Sequence, residues 1–239
     1  MKILIVSGFL GAGKTTFIKR LARNVDQRFA ILENEYGAAG IDGARLGRQG
    51  TQKNVWEMTE QCICCIGKKD FAASVLTIAN VVDPEYLIVE PTGVGSLARI
   101  IENLRQIEYE RIQLLSPVTI VDVYSYRRYM AEYPELYQDQ IRSADTIIVS
   151  KTEACQAEEK QRIQKFLQEI NPQAKIITDY ASTMTREDYQ SLLLGGRYEK
   201  EVQDTQSGEK MPETFSFENI RMEAPETLWC FLEQIIRGA

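Results

Sequence analysis

Near the start of the chain, Gly8-Phe9-Leu10-Gly11-Ala12-Gly13-Lys14-Thr15 carries the spacing Gly-x4-Gly-Lys-Thr. The chemistry of such a stretch is phosphate binding. Gly8, Gly11 and Gly13, with Ala12 among them, let backbone N–H groups turn inward around phosphate oxygens, helped by the positive end of the helix that follows. Lys14 is expected to reach the β- and γ-phosphates, and the Thr15 hydroxyl to sit on Mg²⁺. The competing reading is a glycine-rich turn that binds nothing. It is disfavoured because an apolar strand precedes the motif and a helical pattern opens at it.

A second group follows in Ile88-Val89-Glu90-Pro91-Thr92-Gly93. A carboxylate leaving a buried strand suits a water-mediated hold on the same Mg²⁺, and the Gly93 N–H could sense the γ-phosphate. An ordinary strand-end acid before a proline turn is the alternative. Between the two lies Glu33-Asn34-Glu35-Tyr36-Gly37, then Ile41-Asp42-Gly43. Acids in a glycine-rich loop can order around Mg²⁺ and relax after hydrolysis.

Ser150-Lys151-Thr152-Glu153 leaves a late apolar strand, where many P-loop GTPases carry Asn-Lys-x-Asp. A carboxylate there accepts from guanine N1–H and the 2-amino group, while a lysine stem packs on the base. Adenine lacks that pair of donors, so the carboxylate would be left unpaired. Ser150 stands in for Asn and Glu153 for Asp, so GTP is favoured over ATP. A turn with unrelated polar residues is the alternative.

Cys62, Cys64 and Cys65 fall on one short segment, while Cys155 and Cys230 stand alone and read as structural or incidental. An odd cysteine count argues against a disulfide framework. Three adjacent thiols can form a three-sulfur face for a borderline or soft ion, with a fourth ligand from a carboxylate or water, because the chain has no histidine. Buried small residues or a redox thiol group are the alternatives.

The elements that position these groups alternate. Strand patterns at residues 2–6, 29–32, 55–58, 86–89, 118–121, 146–149 and 175–178 are separated by helical ones at 15–22, 70–81, 96–106 and 158–170. The expected fold class is α/β: a P-loop NTPase with a mostly parallel sheet and helices on both faces, plus a short C-terminal strand-helix extension. Ligands on such a sheet sit beyond the carboxyl ends of the strands. Residues 1–194 form the expected main domain and 195–212 a linker or exposed loop. Residues 213–239 form a strand-helix piece that reads as an incomplete second domain.

With 28 Lys and Arg against 34 Asp and Glu, the net charge is −6 and no basic cluster stands out, which argues against nucleic acid. The longest apolar runs are strand-sized, so no membrane segment is expected. Nothing at the N-terminus reads as a cleavable leader, and a cytoplasmic location is the expectation.

The ordered set resembles the CobW-like branch of metal-linked P-loop GTPases, a family that includes the hydrogenase and urease nickel chaperones. It consists of residues 8–16, the segment 33–37, Cys62-Ile63-Cys64-Cys65, Glu90-Pro91-Thr92-Gly93 and residues 150–153. Gln140-Ile141-Arg142-Ser143-Ala144-Asp145, before the late strand, resembles that family too. The resemblance covers about residues 1–180. It implies GTP hydrolysis coupled to metal insertion, trafficking or upkeep of a metallocofactor such as a corrinoid. It carries over Lys14, Thr15 and Thr16 at the nucleotide, and Asp42 and Glu90 as acids at Mg²⁺ and the attacking water. Cys62, Cys64 and Cys65 carry over as transition-metal ligands, with Glu35 the candidate fourth. Zn²⁺ is the first expected metal and Co²⁺ another. The implied partner is a client metalloprotein or corrinoid-dependent protein, and a homodimer is compatible with it. The competing functions are a P-loop small-molecule kinase and an ATP-dependent metal or redox switch.

Overall fold

The structure, a computed structural model, describes residues 1–27, 29–35, 55–61, 68–202 and 229. Strand β1 (Lys2–Gly8) is an unbroken apolar run, and Ile3, Leu4, Ile5 and Val6 are all fully buried. Such a run needs cover on both faces, and the period-two alternation of a strand divides it. Ile3 and Ile5 enter one core, with Leu97, Ile101 and Ile141; Leu4 and Val6 enter the other, with Phe17, Ile18 and Leu21.

After β1 come α1 (Lys14–Asn24), β2 (Phe29–Glu35), β3 (Val55–Gln61), α2 (Lys68–Val81), β4 (Tyr86–Glu90) and α3 (Leu97–Arg105). The short β5 (Gln113–Leu114) and then β6 (Val118–Asp122) precede two helices, α4 (Tyr126–Glu132) and α5 (Pro134–Arg142). The chain continues through β7 (Thr146–Ser150), α6 (Ala157–Ile170), β8 (Lys175–Ile177), α7 (Tyr180–Thr183) and α8 (Arg186–Leu194). The sheet runs β3-β2-β4-β1-β6-β7-β8, with β5 beside β1, and every pairing is parallel.

Parallel register brings the strand ends to one edge. Glu33 pairs with Glu90, Gly8 with Ile120, and Asp122 with Ser150. The strands and helices expected over residues 1–178 are present, most of them one to three residues longer at an end. The α4–α5 pair and α7–α8 carry no such expectation. Among the described residues no helix is long and apolar enough to cross a membrane.

Beyond α8 the chain keeps to the domain for a few residues. Arg197 bridges to Leu115, and Tyr198 is buried with its hydroxyl donating to the Ser143 carbonyl at 3.0 Å. The strand-helix piece expected at 213–239, apart from Trp229, lies outside the described residues.

Candidate nucleotide-binding site

The phosphate loop is shaped by two glycines at its ends and one at its tip. Gly8, Gly11 and Gly13 all have positive φ, at 144°, 69° and 99°, where a side chain would strain the backbone. At Gly8 space is short as well, because a Cβ would lie 2.4 Å from the Ile120 carbonyl oxygen. Gly13 caps α1 in the left-handed region without a side-chain cap, so the helix opens directly off the loop. Lys14 is buried, and its ammonium lies at the loop, donating to the carbonyls of Gly8 at 3.0 Å and Phe9 at 3.4 Å. Thr16 is exposed on the first turn.

Thr15 faces the end of β4. Its hydroxyl donates to the Glu90 carboxylate, 3.0 Å from one oxygen and 3.4 Å from the other. A hydroxyl and a carboxylate converging beside a phosphate loop are hard oxygen donors, which fits Mg²⁺. Gly93 comes equally close on the other side: a Cβ there would lie 2.5 Å from the backbone nitrogen of Leu10. Thr15, Glu90 and Gly93 thus lie around one loop.

The residues after β7 divide between two tasks. Ser150, read as a base contact, is buried, and its hydroxyl donates to the Ala12 carbonyl at 2.6 Å. Lys151 adopts left-handed backbone at φ 60° and its ammonium meets the Asp122 carboxylate at 2.7 Å. Asp122 is itself held by the Tyr124 N–H at 2.8 Å and the Ser125 hydroxyl at 3.0 Å. Glu153 is exposed at this edge, near enough to Tyr180 for its charge to help raise that phenol, whose burial is the larger cause.

The loop after β8 completes this corner. Asp179, also left-handed at φ 55°, binds the Lys160 ammonium at 2.6 Å, and its carboxyl is held below the ordinary range by Lys160 and then by the Thr152 hydroxyl. Asp122, Asp179 and the α4–α5 pair escaped the sequence reading. Asp122 and Asp179 each follow an apolar strand, the one signal that could have found them.

Of the other expected site residues, Asp42, Cys62, Cys64 and Cys65 lie outside the described residues. Glu35 is the last residue of β2 and pairs in register with Gln61, the residue before Cys62. Cys155 is free and half-buried.

Residues 2–178 match the CobW/HypB/UreG nucleotide-binding domain. The chain is 31% identical over 176 residues to the zinc chaperone YeiR of Escherichia coli, covering 72% of this chain and 53% of that protein. It is 30% identical to the zinc chaperone CobW of a Sinorhizobium species over 64% of this chain and 51% of that one. The chain therefore spans about half the length of these curated relatives. Among solved structures, the Zn(II)-bound YjiA GTPase of E. coli superposes with a TM-score of 0.56 at 19% identity, over 84% of this chain and 66% of that one. The hydrogenase maturation factor HypB of Archaeoglobus fulgidus gives 0.55 at 17% identity, over 81% and 89%. At such identities the likeness is one of fold. Phosphate loop, parallel sheet and family match agree, and the chain belongs to the CobW/HypB/UreG family of nucleotide-binding domains.

Proposed function

We propose that this chain binds and hydrolyses GTP and couples that cycle to the handling of a transition metal, zinc first among them. The observation that carries the reading is the Thr15 hydroxyl against the Glu90 carboxylate at 3.0 Å, on a complete phosphate loop.

The loop N–H groups and the Lys14 ammonium bind the β- and γ-phosphates, and the ammonium draws off charge as it builds toward the leaving oxygen. Thr15 and Glu90 hold Mg²⁺, which neutralises phosphate charge when bound. Gly93, with no side chain beside Leu10, lets its backbone N–H approach the terminal phosphate. Asp42 and Glu90 orient the attacking water, which adds to the γ-phosphorus as the bond to GDP breaks. Glu153 accepts from guanine, and the lysine stem of Lys151 lies on the base. The register of Glu35 beside the residue preceding Cys62 supports a four-ligand site of Glu35, Cys62, Cys64 and Cys65, with the metal as cargo. Zinc chaperones among the relatives support zinc, and Co²⁺ is a useful spectroscopic probe. The client is a metalloprotein or a corrinoid-dependent protein.

Phosphate release from GTP, measured on the parent and on Lys14→Ala, tests the nucleotide half. Release should be easily detected in the parent and nearly absent in a folded variant; equal release by both overturns the assignment. Titrating the reduced protein with Zn²⁺, with and without a non-hydrolysable GTP analogue, tests the metal half. Stoichiometric binding should be lost in the Cys64→Ser/Cys65→Ser double variant, should weaken as pH falls because thiolates compete with protons, and should shift with nucleotide. Equal zinc affinity in parent and double variant removes the site.

A further inference from the structure

The loop after β4 is held from outside the nucleotide site by two adjacent side chains of α5. Gln140 is 1% exposed, and its Nε2 donates to the carbonyls of Gly93 at 3.1 Å and Gly95 at 3.0 Å. Asp139 is 5% exposed, and its Oδ2 accepts from the Leu97 N–H at 2.7 Å and the Ala98 N–H at 3.5 Å. The pair grips carbonyls at one end of the 93–98 turn and N–H groups at the other. Its own footing is firm: the Gln140 carbonyl accepts from the Thr119 hydroxyl at 2.8 Å, on the strand next to β1.

The same helical pair also holds the phosphate loop. The Tyr129 hydroxyl of α4 donates to the Leu10 carbonyl at 3.1 Å, and the Phe9 ring packs on Tyr129, Tyr133 and Tyr137 with centroids 4.2, 5.5 and 5.7 Å away. Leu10 and Gly93 approach so closely that a Cβ on Gly93 would lie 2.5 Å from the Leu10 nitrogen. The α4–α5 pair therefore touches both the phosphate loop and the loop after β4, at the residues where the two loops approach.

Gln140 is an expensive residue for a mere filler. Its Oε1 is buried with no hydrogen-bond partner among the described residues. A leucine of similar size would avoid that cost. We propose that Gln140, backed by Asp139, is the positioning residue that sets the Gly93 backbone at the distance a γ-phosphate requires, so that α5 decides how the site tells GTP from GDP and how fast it hydrolyses. This rests on the GTPase reading above. Neither side chain reaches the reacting atoms; both act through the 93–98 turn.

The test uses Gln140→Leu, which removes both bonds and the unpartnered oxygen together, and Gln140→Glu, which keeps the shape and sets acceptor against acceptor. Circular dichroism and melting establish which variants fold. Three quantities are read on each: kcat and KM for GTP, affinity for GDP against a non-hydrolysable GTP analogue, and amide exchange at residues 93–98 with each nucleotide bound. The expected result is a kcat lowered between roughly tenfold and a hundredfold, as a misplacement of about 1 Å gives, with GDP affinity within about twofold of the parent. The preference for the triphosphate should shrink, and exchange at 93–98 should no longer slow when the analogue replaces GDP. A merely structural role would lower the melting temperature and leave the triphosphate preference and kcat untouched, and that outcome overturns the proposal. If the parent releases no phosphate, the GTPase reading fails, and the analogue-to-GDP ratio still decides: a ratio unchanged in Gln140→Leu overturns the positioning role.

Discussion

The Ser150 hydroxyl donates to the Ala12 carbonyl across 2.6 Å, joining the end of β7 to the middle of the phosphate loop. Both groups are buried, so the bond ties the phosphate loop directly to the segment proposed to read the base. Ser150→Ala leaves a buried carbonyl unpaired and should cost about 1–3 kcal/mol of stability. Because the carbonyl belongs to the loop, affinity for GDP and GTP should fall together. Thermal melts and nucleotide titration check this; a lower Tm with unchanged affinity would show the bond to be structural only.

Gly93→Ala should be worse for nucleotide than for folding. The added Cβ meets the Leu10 nitrogen at 2.5 Å and its Cα at 2.8 Å, backbone atoms that must shift. Overpacking of this kind costs about 1–3 kcal/mol. The shift opens the phosphate loop from one side, so triphosphate binding should suffer more than diphosphate binding. Calorimetric titration with GDP and a GTP analogue reads the difference, and equal losses for both would refute the placement of Gly93 at the terminal phosphate.

Glu153→Ala should erode the preference for GTP over ATP by roughly tenfold or more while slowing hydrolysis little, as expected when a group pairs with the base and not with the reacting phosphate. Competition titrations supply the ratio. A parent protein that binds ATP as well as GTP would leave Glu153 no such role.

At the corner beyond β8, the Asp179 carboxyl is held below its ordinary value of 3.8, first by the Lys160 ammonium and then by Thr152. A carboxyl lowered on folding contributes stability that is complete above the unfolded pKa and lost as pH falls through the folded one. Asp179→Asn keeps a residue that tolerates the left-handed backbone at φ 55° and removes only the charge. It should lower Tm near neutral pH, and the gap to the parent should close below pH 3.8. Melts across that range decide it: a gap that persists in strong acid would assign the loss to something other than the ion pair.

How much of this could be read in the sequence depended on how simple each element's pattern is. The run before Gly8 and the runs ending at Glu90, Asp122 and Ser150 are almost wholly apolar, as strands covered on both faces must be, so sheet and phosphate loop were legible together. The α4–α5 pair was not. Its buried positions mix Tyr126 and Tyr137 with Leu136, Ile141 and the polar Asp139 and Gln140, half-buried Tyr129 and Tyr133 lie beside them, and Pro134 interrupts the run. Tyrosine splits the apolar signal, and the positions make sense only once Phe9 lies against them. Ser150 hid its contact with Ala12 for a different reason. Its place in an Asn-Lys-x-Asp frame suggested the base, whereas the approach of Ala12 is a contact between residues far apart in the chain. Asp42 and the three clustered cysteines lie outside the described residues, so their reading still rests on spacing and family.

The central place of β1 also bears on how the chain reaches this fold. Lys2 pairs with Tyr86 and Val6 with Val118, so the strand carrying the phosphate loop has no neighbour until β4 has been synthesised, and its carboxyl end has none on the other side until β6 follows. Pairing at such separation pays its loop-closure entropy before any contact repays it, and parallel sheets of this kind form slowly. Until then Ile3, Leu4, Ile5 and Val6 form a bare sticky strand on a growing chain. Folding on the ribosome should therefore be late and abrupt, becoming protease-resistant only once β6 has emerged from the exit tunnel. On the proposed reading a nucleotide would touch loops that follow strands on both sides of β1, which would let it act as the template for that step.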